Sequence, residues 1–260
     1  MKKIIALLLA VAVIVSAFAF SGCGEQNKET LKIGITYFEP MNYLDENGEL
    51  TGFETDFAKA VCDKIGMNAE FQEIEWETKE IELNSKNIDC IWNGMTITDE
   101  RKENMNISTA YMENKQVMVC KAENAAKYAK SADGAKVIAE AGSAGEEVAK
   151  GEKFFKGTSY TAADSQAKAL LEVKSGQSDI AVIDYVMTIG TLKDGSDYGD
   201  LTVVEGQDFA PEQYGIAFRK GDDDLTNKVN DAIQELANEG KLNEIATKYN
   251  LQDLILVKAK

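Results

Sequence analysis

The chain has 260 residues, enough for one large domain or two of ordinary size. With 44 acidic residues against 28 basic ones its net charge is −16, so its surface repels nucleic acid and anionic lipid headgroups, and neither is an expected partner. Histidine is absent, which removes Ser-His and Cys-His mechanisms and the commonest metal ligand.

At the N-terminus Lys2 and Lys3 precede an apolar run from Ile4 to Phe20, followed by Ser21-Gly22-Cys23 and a polar stretch to Thr30. A positive start, an apolar middle and small residues at the end make a secretory signal. A run of that length also suits a short membrane anchor. The small residues before Cys23 resemble a bacterial lipobox, with Phe20 standing where Leu is usual. The expectation is a signal over residues 1–22, a lipid on Cys23 and a linker over 23–30. Stable anchoring generally takes more than one chain, so a single lipid suits a protein held near a membrane partner. Cys62, Cys90 and Cys120 lie in apolar runs and read as buried free thiols; no Cys spacing supports a metal or cofactor site.

From Leu31 strand and helix signals alternate, the pattern of an α/β sheet. Leu31–Ile35 reads as a strand, and Tyr43-Leu44 and Glu49-Leu50 flank an Asn47-Gly48 hairpin turn. Glu54–Ile65 carries Phe57, Val61 and Ile65 at helical spacing and stops at Gly66. Asn68–Glu75 reads as a strand, Glu77–Leu83 as a short helix, and Ile88–Trp92 as a buried strand ending at Asn93-Gly94. Thr98 is a good N-cap for the next helix, with Asp99 and Glu100 in its first turn. Around it, Asn93, Gly94, Met95, Thr96 and Arg101 bring backbone N–H groups, a hydroxyl and a guanidinium to one place. A carboxylate or phosphate is the group they all favour. An ordinary strand–helix turn with an exposed Arg fits this stretch equally well.

Further on, Lys115–Cys120 and Lys136–Ala139 read as strands, Ala144–Lys150 and Thr161–Lys174 as helices, and Asp179–Ile183 and Gln213–Phe218 as strands. Asp223–Asn238 and Lys241–Tyr249 read as helices, the first with a core stripe of Leu225, Val229, Ile233 and Leu236. Leu83–Ile91 and Val173–Val182 share helix end, Ser, Asp and apolar strand in one register. The second strand ends at Asp184-Tyr185. If the likeness is real, two comparable lobes each present a polar group at a strand's C-terminal end, where open α/β sheets bind ligands.

In this order, Leu31–Gly34, Phe38-Glu39-Pro40, Leu50–Asp56, Asn87-Ile88-Asp89, Gly94–Arg101, Ala181–Asp184 and Gln213–Phe218 resemble the amino-acid-binding receptors of bacterial ABC importers. The resemblance spans the mature chain. It implies a two-lobed periplasmic-binding-protein fold of type II, with the first lobe over 31–113 and 215–260 and the second over 114–214. Two hinge strands would cross near Tyr111 to Gln116 and near Glu212 to Gly215, with Gln213 and Tyr214 in the second crossing.

By the same resemblance, Arg101 and Thr96 hold the ligand's α-carboxylate, aided by the backbone of Asn93, Gly94 and Met95. Ser143 and Ala144 add N–H groups at a helix start; the family often has Thr where Ala144 stands. Asp184 takes the α-ammonium, and Phe38 and Trp76 flank the ligand side chain. Trp92 stays in the core. Ile35 stands where receptors for basic amino acids carry Asp. Glu140 falls at a position that reads the side chain in a glutamine receptor, though it could equally be a solvated loop residue.

The expectation is therefore a binding lipoprotein, not an enzyme, that captures a free amino acid and hands it to a membrane permease. It would work as a monomer without a cofactor, held outside the cytoplasm at the cell membrane. A neutral or polar amino acid is the first choice and a basic one the second. The alternatives are the ligand-binding partner of a membrane sensor, or a dehydratase using Glu140 as its acid.

Overall fold

The computed structural model describes residues 28–193, 195–207 and 209–260. The signal over 1–22, Cys23 and most of the linker lie outside the described residues. Within them, no helix is long and apolar enough to cross a membrane.

The first lobe opens with β1 (Thr30–Ile35), whose alternate residues Leu31, Ile33 and Ile35 are buried. A hairpin of β2 (Tyr43–Leu44) and β3 (Leu50–Thr51) follows, its turn held by Asp45 Oδ1 accepting from the N–H of Asn47 (2.8 Å) and Glu49 (2.9 Å). Then come α1 (Phe53–Ile65), β4 (Asn68–Glu73), α2 (Lys79–Asn84), β5 (Cys90–Thr96), α3 (Asp99–Asn104) and β6 (Met105–Ile107). In the second lobe are β7 (Met112–Lys121), α4 (Ala125–Tyr128), β8 (Lys136–Glu140), α5 (Ala144–Gly151), β9 (Ser159–Ala163), α6 (Gln166–Ser175), β10 (Ile180–Asp184), α7 (Tyr185–Thr191) and β11 (Leu201–Val203). Strand β12 (Pro211–Arg219) returns to the first lobe, where α8 (Asp223–Asn238) and α9 (Lys241–Lys248) pack against α1.

The strands form one path, β4-β1-β5-β12-β7-β10-β8-β9. Its two parallel portions, β4-β1-β5 and β10-β8-β9, meet through β7 and β12. The start of β7 pairs antiparallel with the start of β12, Met112 opposite Tyr214 and Lys115 opposite Pro211. The rest of β7 turns to β10, and the rest of β12 to β5. Two adjacent strands thus carry the chain between the lobes. Central β5 is buried at every position, as a strand covered on both faces must be. Trp92 is core as expected, with Phe57 edge-on at 5.2 Å and 85°. Pairs of this geometry contribute about 0.5–1.5 kcal/mol beyond the area they bury. Cys62, Cys90 and Cys120 are buried free thiols.

Three readings of the elements need correction. Residues 161–163 belong to strand β9, not to a helix, since Val137, Ile138 and Ala139 pair with Tyr160, Thr161 and Ala162. The helix starts only after Ser165, whose side chain accepts from the Lys168 N–H. Ala162 and Ala163 suit either period, and pairing with β8 decides for the strand. Strand β5 runs on to Thr96, because Tyr214 and Gly215 of β12 pair with Thr96 and Met95. Helix α7 follows β10 with no turn residue between them and no side-chain cap, so no local signal announces it.

Candidate functional site

The C-terminal ends of β5 and β10 and the turn after β8 converge on one enclosed cavity. It is lined by Trp76, Asn93, Gly94, Thr96, Arg101, Glu140, Ser143, Ala144, Gln166 and Asp184. Its volume is about 10 Å³, room for the centre of roughly one water. Nine of the ten come from the sequence reading, and Gln166 is the addition. Phe38 and Met95 are buried without lining it. Met95 packs in the core beside Trp76 and Ile91, and Ile35 is core as well. Phe38 lies under Gly94, which has φ +57; a Cβ there would come within 2.9 Å of the Phe38 ring. Only glycine lets the strand end pass this closely over the ring.

The first wall is cationic. Thr98 caps α3 by accepting from the Arg101 N–H at 3.2 Å, and this anchors the backbone of Arg101. The buried guanidinium turns back to the strand end, donating to Thr96 O (2.8 Å) and, across the cleft, to Gly142 O (3.3 Å). An exposed Glu147 lies 3.9 Å away and, mostly hydrated, contributes little. Lys79, also buried, donates to Trp76 O (3.2 Å) and to Gly142 O (3.0 Å), with its ammonium 4.8 Å from the centre of the Trp76 ring. Burial lowers Lys79 to about 8, with the Arg101 charge as second cause.

Beneath this wall Glu54 is buried in a polar network. It accepts from Gly94 N–H (2.9 Å), Asn42 Nδ2 (3.0 Å) and the Tyr111 hydroxyl. Asn42 also reaches Asn93 Oδ1 (2.9 Å), and Asn93 donates to Thr36 (2.6 Å), which fixes the strand end from below. Burial outweighs these bonds and raises Glu54 to about 7.

The opposite wall is acidic. Asp184 Oδ1 accepts from Gln116 Nε2 (2.8 Å) and from Asn114, and Oδ2 accepts from Gln166 Nε2. The Asp184 N–H donates to Gln166 Oε1 at 2.9 Å. Although Asp184 stands at the N-cap of α7, its carboxylate does not cap the helix. Burial raises its pKa. Glu140 is buried, not a solvated loop residue, and its Oε1 has no hydrogen-bond partner. Burial first and Asp184 second push it up to about 8. Ser143 caps α5 by accepting from the Glu146 N–H at 3.1 Å.

Between the walls the crossing strands add polar groups of their own. Glu212 Oε2 accepts from Asn114 Nδ2 (3.0 Å), Gln116 Nε2 (3.0 Å) and Thr96 Oγ1 (3.2 Å). Tyr214 is fully buried, and the Gln213 carbonyl accepts from Ile97 N–H at 2.8 Å.

Sequence reasoning gave no site role to Glu54, Lys79, Asn114, Gln166 or Glu212. Glu54 and Gln166 sit in first helical turns, where polar residues are ordinary. Lys79 and Glu212 look like solvated charges until the fold buries the first and half-buries the second. The two walls thus carry opposite charge across one cavity, the Arg101 guanidinium on one side and the Asp184 carboxylate on the other.

The profile of the bacterial extracellular solute-binding proteins, family 3, matches residues 31–252. The L-cystine-binding protein TcyJ of Escherichia coli (strain K12) is 30% identical over 251 residues, covering 95% of this chain and 92% of its own length. The arginine-binding extracellular protein ArtP of Bacillus subtilis (strain 168) is 30% identical over 260 residues, covering 96% and 98%. The structure of an ancestral arginine-binding protein bound to arginine superposes with a TM-score of 0.79 at 34% identity, over 86% of this chain and 99% of the other. The chain belongs to family 3 of the bacterial extracellular solute-binding proteins.

Proposed function

We propose that this protein captures a free L-amino acid between its lobes and delivers it to the permease of an ABC importer. The observation that carries the reading is Arg101 on one wall facing the same enclosed cavity as Asp184 on the other. Arg101 and Thr96, with the N–H groups at Ser143 and Ala144, take the carboxylate; Asp184 takes the ammonium. Two of the five guanidinium donors are spent on carbonyls, which leaves donors for a carboxylate. A cavity of about 10 Å³ admits no amino acid until the walls part. Capture is therefore a hinge cycle about residues 111–116 and 212–215, with lobe boundaries at 113/114 and 214/215. Ligand favours the closed form because only that form satisfies both its ends.

Glu140 shapes the choice of side chain. Its buried, unpartnered oxygen rejects acidic side chains and favours one that donates a hydrogen bond. A carboxyl titrating at about 8 stays protonated against a polar uncharged side chain, our first reading, and ionises against a basic one, our second. The reading includes a lipid anchor on Cys23, a monomeric receptor and no catalytic step.

A thermal-shift screen of the common amino acids tests this. Ligand at about 100 times its Kd adds about 2.7 kcal/mol, on the order of 5–10 °C in Tm for a chain of this size. Polar or basic amino acids should raise Tm, and aspartate and glutamate should not. The reading fails if no amino acid does so, or if the acidic ones act alone. Glu140 is also the acid a dehydratase would need, and purified protein is expected not to turn over prephenate or arogenate.

A further inference from the structure

Asp184 and Glu212 come from β10 and β12, yet the same two amide groups hold both. Asn114 Nδ2 donates to Asp184 and, at 3.0 Å, to Glu212; Gln116 Nε2 donates to Asp184 at 2.8 Å and to Glu212 at 3.0 Å. Each NH₂ therefore spends its two protons bridging two carboxylates. Among the described residues, no ion pair joins a cation to either one: Arg101 is turned to Thr96 O, Gly142 O and Glu147, and Lys79 to Trp76 O and Gly142 O. A buried polar atom beside the pair, Gln116 Oε1, also lacks a partner. Two carboxylates held this close, Asp184 buried and Glu212 half-buried, do not both ionise near neutral pH.

We propose that Asp184 and Glu212 share one proton in the ligand-free cleft, and that the α-ammonium of the amino acid displaces it, which makes Glu212 a positioning residue for ammonium binding. This rests on the reading of the protein as an amino-acid receptor. The ligand arrives as R–NH₃⁺ and keeps all its bonds. The carboxyl O–H bond breaks, its proton goes to solvent, and the ammonium replaces a proton of equal charge. Burial first and Asp184 second raise Glu212 to about 7, and burial raises Asp184. Other ionisable groups face the pair: Tyr214 on β12, Glu140 on β8, Glu54 on α1 and Tyr111 ahead of β7, with Arg101 on α3 across the cavity, and Lys102, Glu113, Lys115 and Tyr185 lining the groove with Glu212 on its other side. Because Glu140 and Glu54 also titrate near neutrality, the variant at Glu212 provides the decisive difference. Glu212 lies on a crossing strand, so the exchange also ties the ligand's ammonium to the hinge.

The experiment is calorimetric titration of glutamine at pH 6 and at pH 8.5, each in two buffers that titrate at that pH and differ in ionisation enthalpy, phosphate and MES at the lower pH and Tris and borate at the higher. If the thermal screen selects a basic ligand, arginine with the Glu140→Gln background replaces it. The unmodified receptor should release close to one proton per ligand at pH 6 and almost none at pH 8.5, with affinity about tenfold lower per pH unit on the acid side. In Glu212→Gln the release at pH 6 should fall by about one proton and the affinity should lose this pH dependence. An unchanged proton count between the two proteins, or none in either, overturns the proposal. Carboxyl ¹³C NMR of the ligand-free protein decides separately whether the pair holds the proton. A midpoint near neutrality that vanishes in Glu212→Gln supports it, and its absence or survival refutes it. Silence from every amino acid in the calorimeter would instead refute the receptor reading.

Discussion

In the first lobe, Asp89 closes the turn after α2 by donating its N–H to Lys32 O (2.7 Å) and accepting the Lys32 N–H on its carboxylate (3.0 Å). In the second, Asp179 does the same after α6 with Lys136, at 2.8 Å for both bonds. Ser85 and Ser175 return their hydroxyls to Glu82 O and Glu172 O, and a left-handed residue follows each helix, Lys86 (φ +65) and Gly176 (φ +81). Both turns feed a buried strand whose C-terminal end reaches the cavity. What differs is the charge delivered there. Strand β5 leads to Arg101, with Lys79 beside it, whereas β10 ends on Asp184, with Glu140 on its parallel neighbour β8. One scaffold used twice thus makes opposite walls, and a zwitterion matches the pair better than either wall alone.

Removing either charge breaks the opposition most severely. Arg101→Ala and Asp184→Asn should each weaken amino-acid binding at least 100-fold by calorimetry, about 2.7 kcal/mol, with the fold retained by circular dichroism. Near-normal affinity in either would refute the zwitterion clamp.

Titration weakens the walls unequally. Burial raises Glu54 and Glu212 to about 7 and Glu140 to about 8. For acids raised in the folded state, the stability they allow is complete below about pH 4.5 and is lost as pH rises through 7 to 8. Lys79, lowered to about 8, works the other way: its share is complete above about pH 10.5 and lost as pH falls through 8. Three acids outweigh one lysine, so Tm of the ligand-free protein should be highest near pH 5 and several degrees lower at pH 8.5. A flat or rising calorimetric profile over that range would contradict the burial of these carboxyls.

A smaller change sharpens the acidic wall. Glu140→Gln should shift the ratio of basic to neutral ligand affinity about tenfold toward neutral, about 1.4 kcal/mol. An unchanged ranking would remove Glu140 from side-chain recognition. The smallest effect compares the two turns. A side chain in the left-handed region costs about 1–2 kcal/mol, so Lys86→Gly should add on the order of 0.5–1 kcal/mol, about 2 °C in Tm. Gly176→Ala should lose a similar amount; equal Tm values for all three proteins would mean the turns carry no strain.

Local chemistry was enough to locate much of the fold. Helix α8 has the bounds its 3.6-residue stripe predicts, Thr98 caps α3, and Gly66 ends α1 in the left-handed conformation. Arg101 and Asp184 stood out because each follows a readable strand, one at a capped helix start and the other at the strand's polar end. The likeness of the Asp89 and Asp179 turns was also visible, since the signal lies within ten residues.

Only the tertiary structure decided which remaining polar groups matter. Glu54 is separated by 40 residues from Gly94 and by 57 from Tyr111, and Glu212 by 98 from Asn114. Nothing near Glu54, Lys79, Gln166 or Glu212 in the chain distinguishes them from surface residues. Even for Glu140 the sequence left pocket and solvent open, and packing of β8 beside β10 put it in the cavity. Burial and partnership are properties of strands brought together from distant parts of the chain. The opposed charges could therefore be read from sequence, but the buried network around them could not.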